Sequence, residues 1–243
     1  RCSRCCGEPS APTSTNTAAT PASWVRPAVR TSSWFTRPRT LRSSSPRWFG
    51  GAFEFQGQKC SAASRAYVPR SVWSRIRDDV ADTTESLTMG STLDFANFMG
   101  AVIDDRAFGR LAAVQQRAAA DDTVTTLAGG SSDDSVGYFV RPTVLECSDP
   151  TREYFTTEYF GPLLAVHVFD DSDYDRVLDQ MEGIAPYALT GSIIAQDRAA
   201  IADAMHRLRF AAGNFYINDT PTGAVVGQQP FGGGRASGTN DKA

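Results

Sequence analysis

The chain has 243 residues, 41% of them hydrophobic, with 24 basic side chains against 27 acidic ones. That length and apolar content can bury a sizeable core, as one large domain or two small ones, and they exclude disorder of the whole. No apolar run approaches the roughly 18 residues needed to span a bilayer, and the N-terminus lacks the apolar region of a secretory signal, so the sequence reads as cytoplasmic with no membrane partner.

Residues 1–49 stand apart. They hold eight Arg, one acid and no Lys, which leaves 16 basic and 26 acidic residues in the body: a segment at +7 joined to a body at −10. Ser, Thr and Pro crowd this segment, and Val25, Val29, Phe35, Leu41 and Phe49 are too few to offset the ordering entropy of a fold. Disorder is predicted for 1–49.

From Gly50 onward the sequence is of ordinary globular type. "SVWSRIRDDVADTTESL" and "DDRAFGRLAAVQQRAAA" carry apolar residues at spacings of three and four and predict amphipathic helices. "LLAVHVF" predicts a strand, "DYDRVLDQM" a helix, "ALTGSIIAQ" a strand, "DRAAIADAMHRLRF" a helix and "GNFYIN" a strand. This alternation predicts an α/β fold with a mainly parallel sheet covered by helices on both faces.

One cysteine stands in a distinctive setting, "EFQGQKCSAAS". A lone cysteine is usually a small buried hydrophobe. Around Cys60, however, Gly57 and the small residues Ser61, Ala62 and Ala63 leave room for a substrate to approach the sulfur and for backbone N–H groups to face a developing oxyanion.

"GQKCSAASRAYVP", "TTEYFGPLLAV", "AAGNFYIND" and "GQQPFGGGRASGTNDK" follow one another in the order and spacing of the aldehyde dehydrogenase superfamily's catalytic half. The closest resemblance is to its 1-pyrroline-5-carboxylate dehydrogenase branch, over residues 50–243. It implies a three-layer αβα catalytic domain, partial in this chain, and NAD-dependent oxidation of L-glutamate γ-semialdehyde to L-glutamate in proline catabolism. Cys60 is implied as the nucleophile, forming a thiohemiacetal and then a thioester, with its own backbone N–H as one oxyanion donor. Ser61 resembles a substrate-contacting residue, although a turn-forming role suits it better from its own sequence.

In "EYFGP" the residues alone suggest a turn before a strand, with Phe160 packed and Glu158 solvated. The resemblance implies instead that Glu158 accepts hydrogen bonds from the nicotinamide ribose and that Phe160 braces the ring. "TGAVVGQQPFGGG" looks like a phosphate loop but lacks a following Lys-Ser/Thr. By resemblance it is the aldehyde anchor, with backbone N–H groups at Gly223 and Ala224 holding the substrate carboxylate and Phe231 covering its aliphatic part. Full-length relatives are implied to be homo-oligomers of a small-molecule enzyme.

Other signals are weaker. Cys2, Cys5 and Cys6 have no matching second pair or histidine for zinc. Cys147 is read as structural, and His167 and His206 as packing or surface residues. The Asp pairs at 78–79, 104–105, 121–122, 133–134 and 170–171 are assigned to helix starts and turns rather than to a metal.

The resemblance breaks off at Gly50, and a reading-frame error is the expected cause. One permitted set of codons for residues 23–37, started at its third base, reads "VGETGGKDFVVVH", which carries the family's E-x-G-G-K motif. As written, residues 1–49 supply neither that water-activating glutamate nor the family's oxyanion-donating asparagine, so the chain by itself is expected to turn over little aldehyde. Two competing expectations are an inert fragment of the fold and a basic segment binding nucleic acid without sequence preference, which the acidic body opposes.

Overall fold

The computed structural model describes residues 31–35 as backbone, and residues 51–222, 224–225 and 227–239 with their side chains. A seven-stranded sheet forms its centre. In chain order its strands are β1 (Thr31–Phe35), β2 (Ala63–Pro69), β3 (Val124–Ala128), β6 (Thr143–Cys147), β7 (Leu163–Phe169), β9 (Thr190–Ile194) and β10 (Asn214–Ile217). Small two-stranded sheets are made by β4 (Ser132–Asp133) with β5 (Phe139–Val140), and by β8 (Tyr187–Ala188) with β11 (Gly234–Arg235). The spatial order is β10-β9-β1-β2-β7-β6-β3. Every pairing in it is parallel except β3 with β6, at one edge.

Helices cover both faces, giving three layers. The helix α1 (Arg70–Ser86) buries Val72, Trp73, Ile76, Val80 and Thr84, the three-to-four spacing of one stripe. It packs with Ala66, Val68, Val144, Leu164 and Val166 on one sheet face. On the other face lie α2 (Asp105–Ala119), α4 (Tyr174–Gly183) and α5 (Arg198–Arg207), through Leu111, Val114, Val177, Leu178 and Ala204 against Leu145, Ala165 and Ile193. Successive residues of β7 divide between the two cores, as strand geometry demands: Leu163 and Ala165 to one, Leu164 and Val166 to the other.

The predicted helices and strands of the body all form, as does the parallel α/β sheet. Asp104 caps α2 by accepting from the Ala107 N–H at 2.7 Å, and Asp197 caps α5 through the Ala199 N–H at 2.8 Å. One expectation needs correcting: Asp78 and Asp79 lie in the middle of α1, on its exposed side, because that helix begins eight residues before them. Strands β2, β3 and β6 and the short helix α3 (Glu153–Thr156) were not apparent from the sequence.

The disorder predicted for residues 1–49 lies outside the described residues, except at Thr31–Phe35. There the backbone runs as a strand in register with both β2 and β9. No helix among the described residues is long and apolar enough to cross a membrane.

Candidate active site

Strands β2, β7, β9 and β10 all run in one direction, so their first residues lie along one end of the sheet. Three segments converge on that end. The first carries Cys60. From Gly51, which packs against Pro221, the chain buries Ala52 and Phe53 in the core beneath α1 and then turns through Phe55, Gln56 and Gly57 before reaching the thiol. All three turn residues have left-handed φ, at 51°, 60° and 62°. Cys60 is exposed, Ser61 half-buried, and the Ala62 N–H donates to the Lys59 carbonyl at 3.1 Å, closing the turn that leads into β2. Lys59 pairs with Glu54 at 2.7 Å and lies over the Phe55 ring.

The second segment is the turn from Glu158 to Pro162, which precedes β7. Glu158 Oε1 accepts from the Phe160 N–H at 2.9 Å, and Phe160 adopts φ 53° and is 36% exposed. The turn touches the thiol loop directly: Gly57, Lys59, Ala62 and Ala63 from one side, and Glu158, Phe160 and Gly161 from the other, line a cleft whose cavity is about 10 Å³, the size of one water. Behind the turn, Arg65 of β2 is almost wholly buried and donates to the Phe155 carbonyl at 3.1 Å. Burial pushes its guanidinium below the usual arginine range, while Tyr67 and Glu158 favour its charge.

The third segment is the loop after β10. Asn214, the first residue of that strand, donates to the Pro230 carbonyl at 2.7 Å and accepts from the Gly232 N–H at 3.0 Å. Phe231, half-buried, is thereby pinned at the same end of the sheet at which β2 and β7 begin. Gln229 donates to the Tyr216 hydroxyl at 3.2 Å. Ala224 lies on this loop, half-buried, and Gly223 lies outside the described residues.

Glu158 and Phe160 therefore share a cleft with Lys59 and Ala62, the residues on either side of Cys60 and Ser61 in the chain, and Phe231 stands on the same sheet end three strands along. Asn214, Gln58 and Arg65 were missed by sequence reading. Asn214 was detectable in principle, as a polar residue opening a β-rich run.

The family match extends over residues 41–243 and is to the aldehyde dehydrogenase family. This chain belongs to that family. A relative from Schizosaccharomyces pombe, named a probable delta-1-pyrroline-5-carboxylate dehydrogenase, is 54% identical over 79% of this chain and 35% of its own length. A Dictyostelium discoideum relative, named a mitochondrial delta-1-pyrroline-5-carboxylate dehydrogenase, is 50% identical over the same shares. The crystal structure of the Mycobacterium tuberculosis delta-pyrroline-5-carboxylate dehydrogenase superposes with a TM-score of 0.82 at 50% identity, covering 88% of this chain and 40% of that one. A further structure of the M. tuberculosis protein is described as bound with NAD. The chain spans about a third of the length of the curated relatives it matches.

Of the other residues considered from sequence, Cys147 is buried, and burial with the nearby Asp121 charge pushes its thiol up to about 12. The His167 Nδ1 lies 3.1 Å from the Cys147 carbonyl inside the core, and His206 is exposed on α5. No group of three metal-ligating side chains occurs among the described residues. Cys2, Cys5 and Cys6 lie outside them.

Proposed function

We propose that the protein to which this chain belongs oxidises L-glutamate γ-semialdehyde to L-glutamate with NAD. The observation that carries this reading is the shared cleft between the Cys60 loop and the Glu158–Phe160 turn, in a chain about half identical to proteins of that name. The Cys60 thiolate attacks the aldehyde carbon, forming the C–S bond of a thiohemiacetal whose oxyanion faces the Cys60 N–H. Glu158 and Phe160 would hold the dinucleotide, whose chemistry when bound is to accept the hydride that the thiohemiacetal loses on becoming the Cys60 thioester. The carboxylate suits that place because it only accepts, matching paired ribose hydroxyls, and the partly exposed Phe160 ring beside it offers an apolar face. Water then adds to the Cys60 thioester, the thiolate leaves and the carboxylate product departs. Phe231, Ala224 and Gly223 form the loop that selects a substrate bearing its own carboxylate, and Ser61 borders the path to the sulfur.

Free cysteines without a disulfide pattern fit a reducing compartment, either the cytoplasm or the mitochondrion named for several relatives. In the whole protein, Cys60→Ala is expected to lower NAD-dependent oxidation of the semialdehyde at least about a thousandfold while NAD still binds. Retained turnover would overturn this reading.

We also propose that residues 1–49 are an out-of-frame translation. Thr31–Phe35 occupies a sheet-interior slot between β2 and β9, whose residues Ala66, Tyr67, Val68, Ser192 and Ile193 are fully buried. Such a slot calls for an apolar strand. In place of Thr-Ser-Ser-Trp-Phe, the alternative frame reads Phe-Val-Val-Val-His there. Resequencing across Gly50–Gly51 tests this: a base gained or lost is expected, and an unbroken frame overturns it.

A further inference from the structure

Gln58 lies two residues before Cys60 and uses both ends of its amide. Oε1 accepts from the Ile103 N–H at 3.0 Å, and Nε2 donates to the Phe160 carbonyl at 3.4 Å. One side chain thus joins three separate stretches of backbone: the thiol loop, the approach to α2, and the turn before β7. An amide is the side chain that can do this, because it both donates and accepts from one planar group.

The loop it holds is strained. Phe55 and Gln56 are non-glycine residues in left-handed backbone, consecutive with Gly57 in the same region. Such conformations persist only where surrounding contacts over-determine them. Gln56 contributes one anchor, donating to the Ala101 carbonyl at 2.8 Å on the approach to α2. Gln58 is the residue whose bonds reach both ways.

We propose that Gln58 is a positioning residue for the Cys60 thiol. Its amide locks the strained loop onto the Phe160 turn, so that the sulfur and the Phe160 ring keep a fixed spatial relation. The inference rests on reading Cys60 as nucleophile and Phe160 as cofactor contact, and it identifies what sets the distance between them. Loss of the amide lets the loop relax toward right-handed backbone and turns Cys60 into a thiol of a flexible peptide.

The test follows iodoacetamide alkylation of the Cys60 peptide by mass spectrometry in the 243-residue chain, at about pH 8, against a synthetic peptide of residues 54–66. The native chain is expected to differ from the peptide by at least about fivefold in second-order rate, in either direction, because a fixed loop presents the sulfur in one setting and a flexible peptide in many. Gln58→Met, and Gln58→Asn, which is one methylene too short to span both bonds, should bring the rate to within about twofold of the peptide. Gln56→Met should leave it near the native value. A native rate equal to that of the peptide, unchanged rates in the Gln58 variants, or an equal shift in Gln56→Met would each overturn the proposal. If Gln58→Met does not fold, Gln58→Asn decides. Alkylation needs neither NAD nor turnover, so its outcome is independent of the dehydrogenase assay on Cys60→Ala.

Discussion

Gly57 and Gly161 are in backbone contact: a methyl group added at Gly57 would lie 2.3 Å from the Gly161 carbonyl oxygen. The thiol loop and the turn beside it can approach this closely only because Gly57 carries no Cβ at the contact, and Gly57 also holds φ 62°. Gly57→Ala adds the left-handed penalty of about 1–2 kcal/mol to a clash with rigid backbone, so a total loss of at least about 2 kcal/mol is expected in urea unfolding. A variant of native stability would show that the two segments are not packed as described.

Phe155 is fully buried under the Glu158 turn, its ring 5.5 Å from that of Tyr67 and 6.4 Å from that of His167. Its carbonyl takes the Arg65 bond. Phe155→Ala should cost about 3–5 kcal/mol. Phe155→Leu, which conserves most of the volume, should lose much less; equal losses would point to something other than a cavity.

The two described cysteines should differ sharply toward an alkylating reagent. Cys60 is exposed, whereas Cys147 is buried with its thiol raised to about 12 by desolvation and then by Asp121. At about pH 8 the Cys60 peptide is expected to label in the folded chain and the Cys147 peptide only in denaturant. Labelling of Cys147 at native stability would contradict its place in the core.

His167 gives a stability window with a definite sign. Burial lowers its pKa from the ordinary 6.5; the bond to the Cys147 carbonyl and the Asp149 charge oppose this, while Arg176 and Arg70 add to it. The unfolded chain therefore binds the proton first, so this contribution to stability is present above 6.5 and is lost as pH falls through the depressed folded value. His167→Gln should flatten the stability profile just below 6.5 in urea titrations at fixed salt. The carboxylate of Asp121, held low by Thr123 and then by Arg152, acts only in a more acidic window. A His167→Gln profile as steep as the native one would refute the assignment.

Asn214 ties down both neighbours of Phe231. In the whole protein, Asn214→Ala should raise KM for the semialdehyde about tenfold with a smaller change in kcat, since it loosens a binding loop rather than the thiol. A kcat effect with KM unchanged would place Asn214 on the nucleophile side instead.

The helices were legible because their apolar stripes repeat at the helical period. In α1 and α2 the predicted stripes are the buried ones: Val72, Ile76 and Val80 in the first, and Ala107, Leu111 and Val114 in the second. "LLAVHVF" was legible because a run buried on both faces is apolar almost throughout, here broken by His167 alone. β2 was not, because "ASRAYVP" carries a buried Arg65 whose acceptor is the Phe155 carbonyl, 90 residues away. The Asp78–Asp79 pair misled because a charge pair reads alike at a helix start and on a solvated helix flank.

Local order alone decided the chemical inventory: one thiol among small residues, a Glu-x-Phe-Gly-Pro turn and a glycine-rich loop, each recognisable because backbone freedom and side-chain size are written residue by residue. Which of these meet was decided by the sheet. Parallel register brings the starts of β2, β7 and β10 to one end although they are separated by more than fifty residues at the least, and only there do Gln58, Gly161 and Asn214 acquire partners. Those bonds join distant backbone atoms, whose meeting no local sequence pattern encodes.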